Sequence, residues 1–288
     1  MDTGKLESAI SAWLMQNHGI EGRLERLGGE NLNYRVLTPG GEHYVFKALD
    51  EHTAEETADL EFGMLEHVRD SGFELGLPFI LPDHDGRIES PVRIPLPGSH
   101  RARLLSFVHG ELLEHRGERS SALLADIGRS LASLDNALAG FDHPGAYRGH
   151  PWELARAGMH RDKAESIRDR GLRALVTWAF DLWDAAADEL PDLPCQVIHG
   201  DANPENIILR GERVAGFVDF GDACFNPRIC EVAVCLAYLM MGRAEPLAAA
   251  AAMLGGYNRA ARLSAEELAV LMPLVCGRLA VTVCMATS

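Results

Sequence analysis

The sequence HGDANPEN, residues 199–206, decides how this chain is interpreted. Apolar runs flank it at residues 195–198 and 207–209, and each has the length and composition of a short buried strand. A charged loop held between two strands is a common position for catalytic and binding side chains. We therefore expect the chemistry of this protein to depend on residues 199–206.

A second polar segment, VDFGD at residues 218–222, ends a strand-like run that begins at Val214. The sequence RGER, residues 210–213, separates this run from the first loop and has the composition of a hairpin turn, with glycine at a special backbone angle. The predicted hairpin places Asn206 and Asp219 at its two ends, on the same side. Asp201 is expected to converge with them.

These three side chains offer hard oxygen ligands and a proton acceptor. Such a set suits Mg²⁺ and a bound polyphosphate better than zinc, which prefers nitrogen and sulfur ligands. In phosphoryl transfer the protein mainly positions the reactants and neutralises charge. We therefore expect Asp201 to orient the attacking hydroxyl, and Asn206 and Asp219 to hold Mg²⁺.

The combined pattern resembles the aminoglycoside phosphotransferase and choline kinase-like family of the protein-kinase-like superfamily. It carries His-Gly-Asp at residues 199–201, Asn206, and Asp-Phe-Gly-Asp at residues 219–222. Within this family it is most similar to the hydroxylysine kinase branch. The resemblance implies an α+β, bilobal protein-kinase-like fold. Residues 1–108 would form a small β-rich N-lobe that covers the nucleotide, and residues 109–288 a mainly helical C-lobe with the catalytic hairpin.

The N-terminal part has three strand-like segments between Ile20 and Leu49, followed by a predicted helix at residues 54–69. The resemblance implies that Lys47, on the third strand, contacts nucleotide phosphates and is held by a glutamate of the helix. Glu61 is the preferred partner because it borders the apolar stripe of the helix. The competing glutamates are Glu55, Glu56 and Glu66.

Two further segments are expected to contact the nucleotide, again from the resemblance. The loop with Gly28, Gly29 and Asn31 would cover the phosphates, although these residues alone favour a plain tight turn. Backbone groups of Ser106, Phe107 and Val108 would bind the base. Backbone contacts leave no side-chain signal, so ATP and GTP both remain open as phosphoryl donors.

Other polar residues near the motifs are candidates for substrate contact or loop support. His199 and Asn203 belong to the first loop, and Glu231 opens a predicted helix, where it would cap the helix or brace the loop. Asp222 would either bond to the catalytic loop or meet a substrate ammonium group. His143 and His150 are interpreted as surface or capping residues, because no cysteine or third spaced ligand accompanies them.

Composition restricts the class of protein. The chain has 288 residues, 47% hydrophobic and 24% charged, as in an ordinary globular protein. Its net charge of −15, without a basic stripe, argues against nucleic acid or an anionic membrane as a partner.

Six cysteines without a Cys-x-x-Cys pair indicate reduced, buried thiols. Together with the lack of a visible signal peptide, this predicts a cytoplasmic location. The apolar run that ends at Met285 has no polar stop signal, so we expect the natural chain to continue beyond Ser288.

The favoured function is a small-molecule kinase that transfers the γ-phosphate of ATP or GTP to a hydroxyl of an amino alcohol or hydroxy amino acid. The resemblance implies a small cationic or zwitterionic substrate, such as hydroxylysine, while antibiotic, homoserine and choline acceptors stay open. One alternative is a catalytically silent, nucleotide-binding regulatory domain of a larger protein. A metal-dependent hydrolase is weaker, because no histidines or paired carboxylates are spaced to hold its metal. The oligomeric state is not predicted.

Overall fold

A computed structural model describes residues 3–28, 32–49 and 55–287. Contacts within the chain divide it into two compact units. The first comprises Met1–Leu65 and Leu77–His109, and the second comprises Glu66–Gly76 and Gly110–Ser288. The division is not a single cut, because residues 66–76 belong with the second unit.

The first unit is built on an antiparallel sheet with strand order β1-β2-β3-β6-β4, and β5 also pairs with β6. Alternating apolar residues and the turn at residues 38–41 bring β2 and β3 together, and Gly41 adopts a φ of 89° there. The elements are α1 Thr3–His18, β1 Arg23–Arg26, β2 Leu32–Leu37, β3 His43–Leu49, α2 Glu55–Asp70, β4 Ile80–Leu81, β5 Ser90–Val92 and β6 His100–Ser106; the last residues of α2 count with the second unit.

The core of the first unit lies between α1 and the sheet. The predicted apolar face of α1, with Leu6, Ile10 and Trp13, is buried as expected. Trp13 packs edge-on against Phe46 of β3, with ring centroids 5.2 Å apart. Burial of each large apolar side chain contributes about 1.5–3 kcal/mol. This packing fixes the sheet that carries Lys47.

The second unit is mainly helical, with two small antiparallel sheets of order β10-β9-β7 and β11-β8. Short 3₁₀ segments lie at residues 113–115, 144–147, 154–166 and 190–192. The elements are β7 Glu111–Leu112, α3 Ser121–Leu138, α4 Arg170–Ala187, β8 Cys195–Ile198, β9 Ile207–Arg210, β10 Arg213–Phe217, β11 Cys224–Pro227, α5 Arg228–Met240, α6 Pro246–Ala260 and α7 Ala265–Ala286. An antiparallel β-sheet unit and a mainly helical unit confirm the predicted α+β class.

The hairpin predicted between Asn206 and Asp219 is confirmed. β9 and β10 pair antiparallel around Gly211, which adopts a φ of 64°. Beyond the last residue of β10, the Val218 N–H donates to the Asn206 carbonyl at 3.0 Å. The two segments of the hairpin therefore stay adjacent up to Asn206 and Val218. β11, which was not predicted from the sequence, pairs with β8 and closes the segment after residue 222 onto the strand before His199.

Glycines let the helices of the second unit approach closely. A Cβ added at Gly128 of α3 would lie 2.0 Å from the Met253 carbonyl oxygen of α6, so only glycine fits there. Gly277 of α7 packs on Trp183 of α4, where an added Cβ would lie 2.6 Å from the ring. α7 is the one helix among residues 3–28, 32–49 and 55–287 that is long and apolar enough to cross a membrane, with mean hydropathy 2.1, and half of that window is buried inside the protein.

Two expectations about buried side chains were wrong in part. Trp178, Phe180 and Trp183 lie in a segment whose sequence predicts a helix, and aromatic residues there are expected to be core. Phe180 and Trp183 are buried, whereas Trp178 is 53% exposed because it lies on the opposite face of α4. All six cysteines are free thiols; most are buried, but Cys195 is exposed and Cys276 is half-buried.

Candidate active site

The Asp201 carboxylate is held by three side chains. Arg278 Nη2 donates to Asp201 Oδ1 at 2.6 Å, and the amides of Asn203 and Asn206 each donate to Oδ2 at 2.9 Å. Burial raises the pKa of Asp201 to about 6; Arg278 opposes this rise, and the nearby Asp222 adds to it. The carboxylate is thus oriented and able to accept a proton near neutral pH.

The residues expected to hold a metal have suitable chemistry. Asn206 uses Nδ2 to donate to the Asp201 carboxylate and to the Asp201 carbonyl oxygen, both at 2.9 Å, which leaves its amide oxygen as the atom for a cation. Asp219 has a φ of 60°, a conformation uncommon outside glycine and often found at functional sites. Within the described part of the chain, no group of three or more His, Cys, Asp or Glu side chains is placed to hold a metal. One carboxylate and one amide fit Mg²⁺, which takes few protein ligands when it also binds phosphates.

His199 and Glu231 bind the backbone of the loop that carries Asp201. His199 is fully buried: its Nε2 donates to the Val218 carbonyl at 3.1 Å, and its Nδ1 accepts from the Asp201 N–H at 3.2 Å, which fixes the neutral tautomer. Glu231 Oε2 accepts from the Gly200 N–H at 3.0 Å. Burial raises the pKa of Glu231, while hydrogen bonds from the loop N–H groups oppose the rise. The expected role of Glu231 was to cap its helix or to brace the loop, and this hydrogen bond is of the second kind.

Gly200 is required by the backbone. It has a φ of 80°, and a Cβ there would lie 2.6 Å from the Asp222 carbonyl oxygen. The loop therefore passes against the Asp-Phe-Gly-Asp segment at a distance that excludes any larger residue. Arg148, which was not singled out from the sequence, holds the other side of that segment. Its guanidinium donates to the Gly221 and Ala223 carbonyls at 2.7 and 2.8 Å.

Asp222 and His150 lie beside this site. The Asp222 side chain is 36% exposed, and its Oδ1 lies 3.8 Å from His150 Nδ1. His150 was interpreted as a surface or capping residue, and this was wrong: its side chain is only 10% exposed. Burial lowers the pKa of His150; Asp222 opposes this, and Arg148 and Arg278 reinforce it. His143 does cap a 3₁₀ segment, accepting from the Gly145 N–H at 3.1 Å.

Arg278 is the main contact that sequence reasoning missed. It lies on α7, within an apolar run, and is 2% exposed. A lone arginine in such a run can remain buried only with partners for its charge, and that was the available signal.

Glu61 and Lys47 lie in the first unit. Lys47 on β3 is directly opposite Arg103 on β6, so the two cations share one face of the sheet. The Glu61 carboxylate accepts from Arg103 Nη2, and both of these side chains are 1% exposed. The predicted pairing of Glu61 with Lys47 stays a prediction.

The other expected nucleotide contacts are only partly described. Gly28 ends a described segment, whereas Gly29 and Asn31 lie outside the described residues. Ser106 exchanges hydrogen bonds with Phe79, because its N–H donates to the Phe79 carbonyl and its hydroxyl accepts from the Phe79 N–H, both at 2.8 Å. Phe107 stacks under the Arg35 guanidinium at 4.6 Å. Val108 follows, and the role of all three in base binding stays a prediction.

A family model described as "Phosphotransferase enzyme family" matches residues 23–268. The chain belongs to this family. A homoserine kinase of Mesorhizobium japonicum is 30% identical over 254 residues, which cover 85% of this chain and 73% of the relative. A homoserine kinase of Methylobacterium nodulans is 27% identical over 283 residues, covering 94% of this chain and 81% of that protein. The predicted phosphotransferase, with an alcohol group as acceptor, is confirmed.

Solved structures of the same fold support the architecture. An amicoumacin kinase, hAmiN, solved with AMP-PNP, Ca²⁺ and Ami, has a TM-score of 0.76 at 14% identity and covers 98% of this chain and 86% of its own. A microcompartment-associated aminopropanol kinase has a TM-score of 0.76 at 17% identity and covers 97% and 95%. At these identities the similarity shows the fold, and it confirms the kinase-like fold class. The Mesorhizobium and Methylobacterium relatives are named homoserine kinase rather than hydroxylysine kinase, so the choice of branch is a matter for proposal.

Proposed function

We propose that this phosphotransferase moves the γ-phosphate of ATP or GTP to the side-chain hydroxyl of a small hydroxy amino acid, with homoserine as the first candidate. The observation that carries the proposal is the half-buried Asp201 carboxylate, oriented by three donors and adjacent to Asn206. The named relatives, which align over most of the chain, support the choice of acceptor. Hydroxylysine, from the resemblance, is the second candidate.

Asp201 is the proposed catalytic residue. The ionised carboxylate would accept a hydrogen bond from the acceptor hydroxyl, align the oxygen with the phosphorus, and take up the proton as the bond to phosphorus forms. His199, Glu231 and Gly200 would hold the loop backbone in the position that places the Asp201 carboxylate beside the acceptor hydroxyl. A displaced carboxylate would lose alignment, and alignment supplies much of the rate in phosphoryl transfer.

Asn206 and Asp219 are the proposed ligands of Mg²⁺. When bound, the ion would neutralise charge on the phosphate oxygens. The orientation of Asn206 supports this role, since its amide nitrogen is already engaged with Asp201. Asp219 has a φ of 60°, in the left-handed region, and residues in such conformations cluster at functional sites.

In the first unit, Lys47 is proposed to contact the nucleotide phosphates, with Glu61 as its supporting carboxylate. Lys47 is buried on a strand, and a buried lysine needs a counter-charge. Gly28 with Gly29 and Asn31 would cover the phosphates, and the backbone of residues 106–108 would bind the base. These roles follow from the family resemblance and remain to be tested.

Asp222 is proposed to meet the ammonium group of the acceptor. Its carboxylate is more than a third exposed, close enough to Asp201 to raise the pKa of that group, and adjacent to His150, whose ring nitrogens have no hydrogen-bond partner within the described chain. A cationic group placed there would compensate the charge of Asp222. Amino alcohols share this ammonium group, so ethanolamine-like acceptors are the alternative to hydroxy amino acids.

The test is product formation with a panel of acceptors, using ATP and GTP in parallel with Mg²⁺. The panel contains homoserine, 5-hydroxylysine, 1-amino-2-propanol, choline, ethanolamine and an aminoglycoside. We expect acceptor-dependent nucleotide consumption, with homoserine giving the highest kcat/KM and excess EDTA abolishing turnover. Nucleotide binding without turnover of any acceptor would contradict the proposal and favour a regulatory domain.

A further inference from the structure

Arg278 is fixed on every side. Its Nε donates to the Tyr238 hydroxyl at 3.2 Å, its Nη1 to the Trp152 carbonyl at 3.0 Å, and its Nη2 to Asp201 Oδ1 at 2.6 Å. Its guanidinium carbon lies 4.8 Å from the Trp152 ring centroid and 5.4 Å from that of Tyr238. The guanidinium therefore has one orientation, set by α5, by α7 and by the segment at Trp152.

The position of Arg278 along α7 is also determined. The neighbouring residue, Gly277, lies against the Trp183 ring, so α7 approaches α4 closely. One turn on, Thr282 is within hydrogen-bond distance of the Tyr238 hydroxyl at 3.2 Å and donates to the Arg278 carbonyl at 2.9 Å. The packing of α7 therefore determines the position of the Arg278 guanidinium, and the guanidinium in turn orients Asp201.

The hydrogen bonds of Asp201 leave one direction open. An ionised carboxylate has about four lone-pair sites, two on each oxygen. Among the described residues, Asn203 and Asn206 take both sites of Oδ2, and Arg278 takes one site of Oδ1. The remaining site is on Oδ1, next to the guanidinium. An acceptor hydroxyl that donates to Asp201 would use this site.

We propose that Arg278 is a positioning residue for phosphoryl transfer: it fixes the rotamer of Asp201 so that Oδ1 presents its remaining lone pair to the acceptor hydroxyl. This inference rests on the proposed function, in which Asp201 accepts the hydroxyl proton. Arg278 acts through Asp201, so its loss should lower kcat while leaving nucleotide and acceptor binding nearly unchanged.

Stability alone does not account for this arrangement. A buried ion pair is weak evidence of stabilisation, because desolvation offsets the attraction. Arg228 offers the contrast within the same unit: it donates two hydrogen bonds of 2.9 Å to the Glu267 carboxylate at the start of α7, far along the helix from Asp201. Arg228 and Arg278 therefore form a matched pair of arginines, only one of which contacts the proposed catalytic residue.

The experiment compares Arg278→Lys with Arg228→Lys. Both variants keep the positive charge and lose the fork geometry of the guanidinium. We expect Arg278→Lys to lower kcat by about tenfold or more, with both KM values within about threefold of the wild type, as for loss of alignment in the transition state. Arg228→Lys should keep the wild-type kcat and show only a lower midpoint of urea unfolding.

A second variant guards against partial unfolding. Arg278→Ala opens a space of guanidinium size beside Asp201, and free guanidinium at low millimolar concentration should restore part of its kcat. The same ion should leave Arg228→Ala unchanged.

A wild-type kcat in Arg278→Lys, an increase of KM alone, or no rescue of folded Arg278→Ala would each overturn the inference. Failure of the proposed function would look different, since the wild-type protein would then form no phosphorylated product.

Discussion

The catalytic loop of the second unit and the Lys47 strand of the first unit differ in how their charges are compensated. In the loop, both oxygens of Asp201 accept hydrogen bonds, and Glu231 binds the backbone through Oε2, although its Oε1 has no partner among the described residues. In the first unit, Arg103 Nε and Nη1 and Glu61 Oε1 have no hydrogen-bond partner among the described residues, although both side chains are buried. Each buried polar atom left without a partner costs about 1–3 kcal/mol.

The difference is clearest at the two carboxylates: both oxygens of Asp201 are hydrogen-bonded, whereas Glu61 pairs through one oxygen only. Hydrogen bonds within the protein already orient Asp201 without a ligand. Variants in the loop should therefore change catalysis more than folding. Glu61 and Arg103 form a buried ion pair that still leaves polar atoms unpaired, so variants of this pair should change stability first. Substitutions in each region test whether stability or catalysis changes first.

The largest effect is expected in the first unit, from Arg103→Met. Removing the guanidinium leaves the buried Glu61 carboxylate without its described partner, which should lower the free energy of unfolding by about 3–5 kcal/mol. The double variant Glu61→Gln with Arg103→Met should be less destabilised than Arg103→Met alone. Urea denaturation of the wild type, the single variants Glu61→Gln and Arg103→Met, and the double variant measures this cycle. A double variant that loses the sum of the two single effects would show that the pair does not act as a unit.

Gly200→Ala is expected to have the next largest effect, and on activity. The added methyl would meet the Asp222 carbonyl and strain a residue with a φ of 80°, which should displace Asp201 and lower kcat by about 100-fold. Gly211→Ala is the matched control. Gly211 also has a positive φ, of 64°, but its Cβ would meet nothing within 4 Å, so only a stability loss of about 1–2 kcal/mol is expected. Equal kcat values for the two variants would contradict the close-approach argument.

The smallest effect concerns Asp135, a buried carboxylate of α3 that accepts from the Tyr257 hydroxyl. Burial raises the pKa of Asp135 well above its usual range, and Glu231 adds to the rise. A carboxyl with a raised folded-state pKa stabilises the fold at low pH, and this contribution is lost as pH rises above about 4.

Asp135→Asn cannot ionise and should not lose this contribution. Between pH 5 and 8 the wild-type protein is expected to lose more unfolding free energy than the variant. Urea denaturation at both pH values measures the difference, with the exposed Asp188→Asn as the control that keeps the wild-type dependence. The prediction would be contradicted if the unfolding free energies of the wild type and Asp135→Asn changed equally with pH.

The sequence predicts most accurately where its signals are contiguous. The hairpin of β9 and β10 follows from apolar runs and a glycine turn within residues 207–217, so the adjacency of Asn206 with residue 218 could be foreseen. The boundaries of β3 and the apolar face of α1 follow from local periodicity in the same way. Local rules are sufficient for these features because the residues that interact are close in the chain.

Features that depend on tertiary packing could not be read in this way. Arg278 contacts Asp201 across 77 positions, and only the docking of α7 on Trp183 brings them together. Glu61 was expected to be important, and it is buried, but Arg103 competes for its carboxylate through the pairing of β3 with β6. Trp178 is two residues from Phe180 and five from Trp183, neither of which is the spacing of one helix face, and it is exposed.

The proposed role of Asp201 can be tested by comparing wild-type protein with Asp201→Asn, using homoserine, ATP or GTP, and Mg²⁺. The measurement is the formation of phosphorylated acceptor, followed by phosphorus NMR, together with nucleotide affinity by calorimetry. We expect product from the wild type, a loss of turnover of about 1,000-fold or more in Asp201→Asn, and an unchanged nucleotide affinity. Substantial turnover in Asp201→Asn would contradict the proposal that this carboxylate accepts the hydroxyl proton.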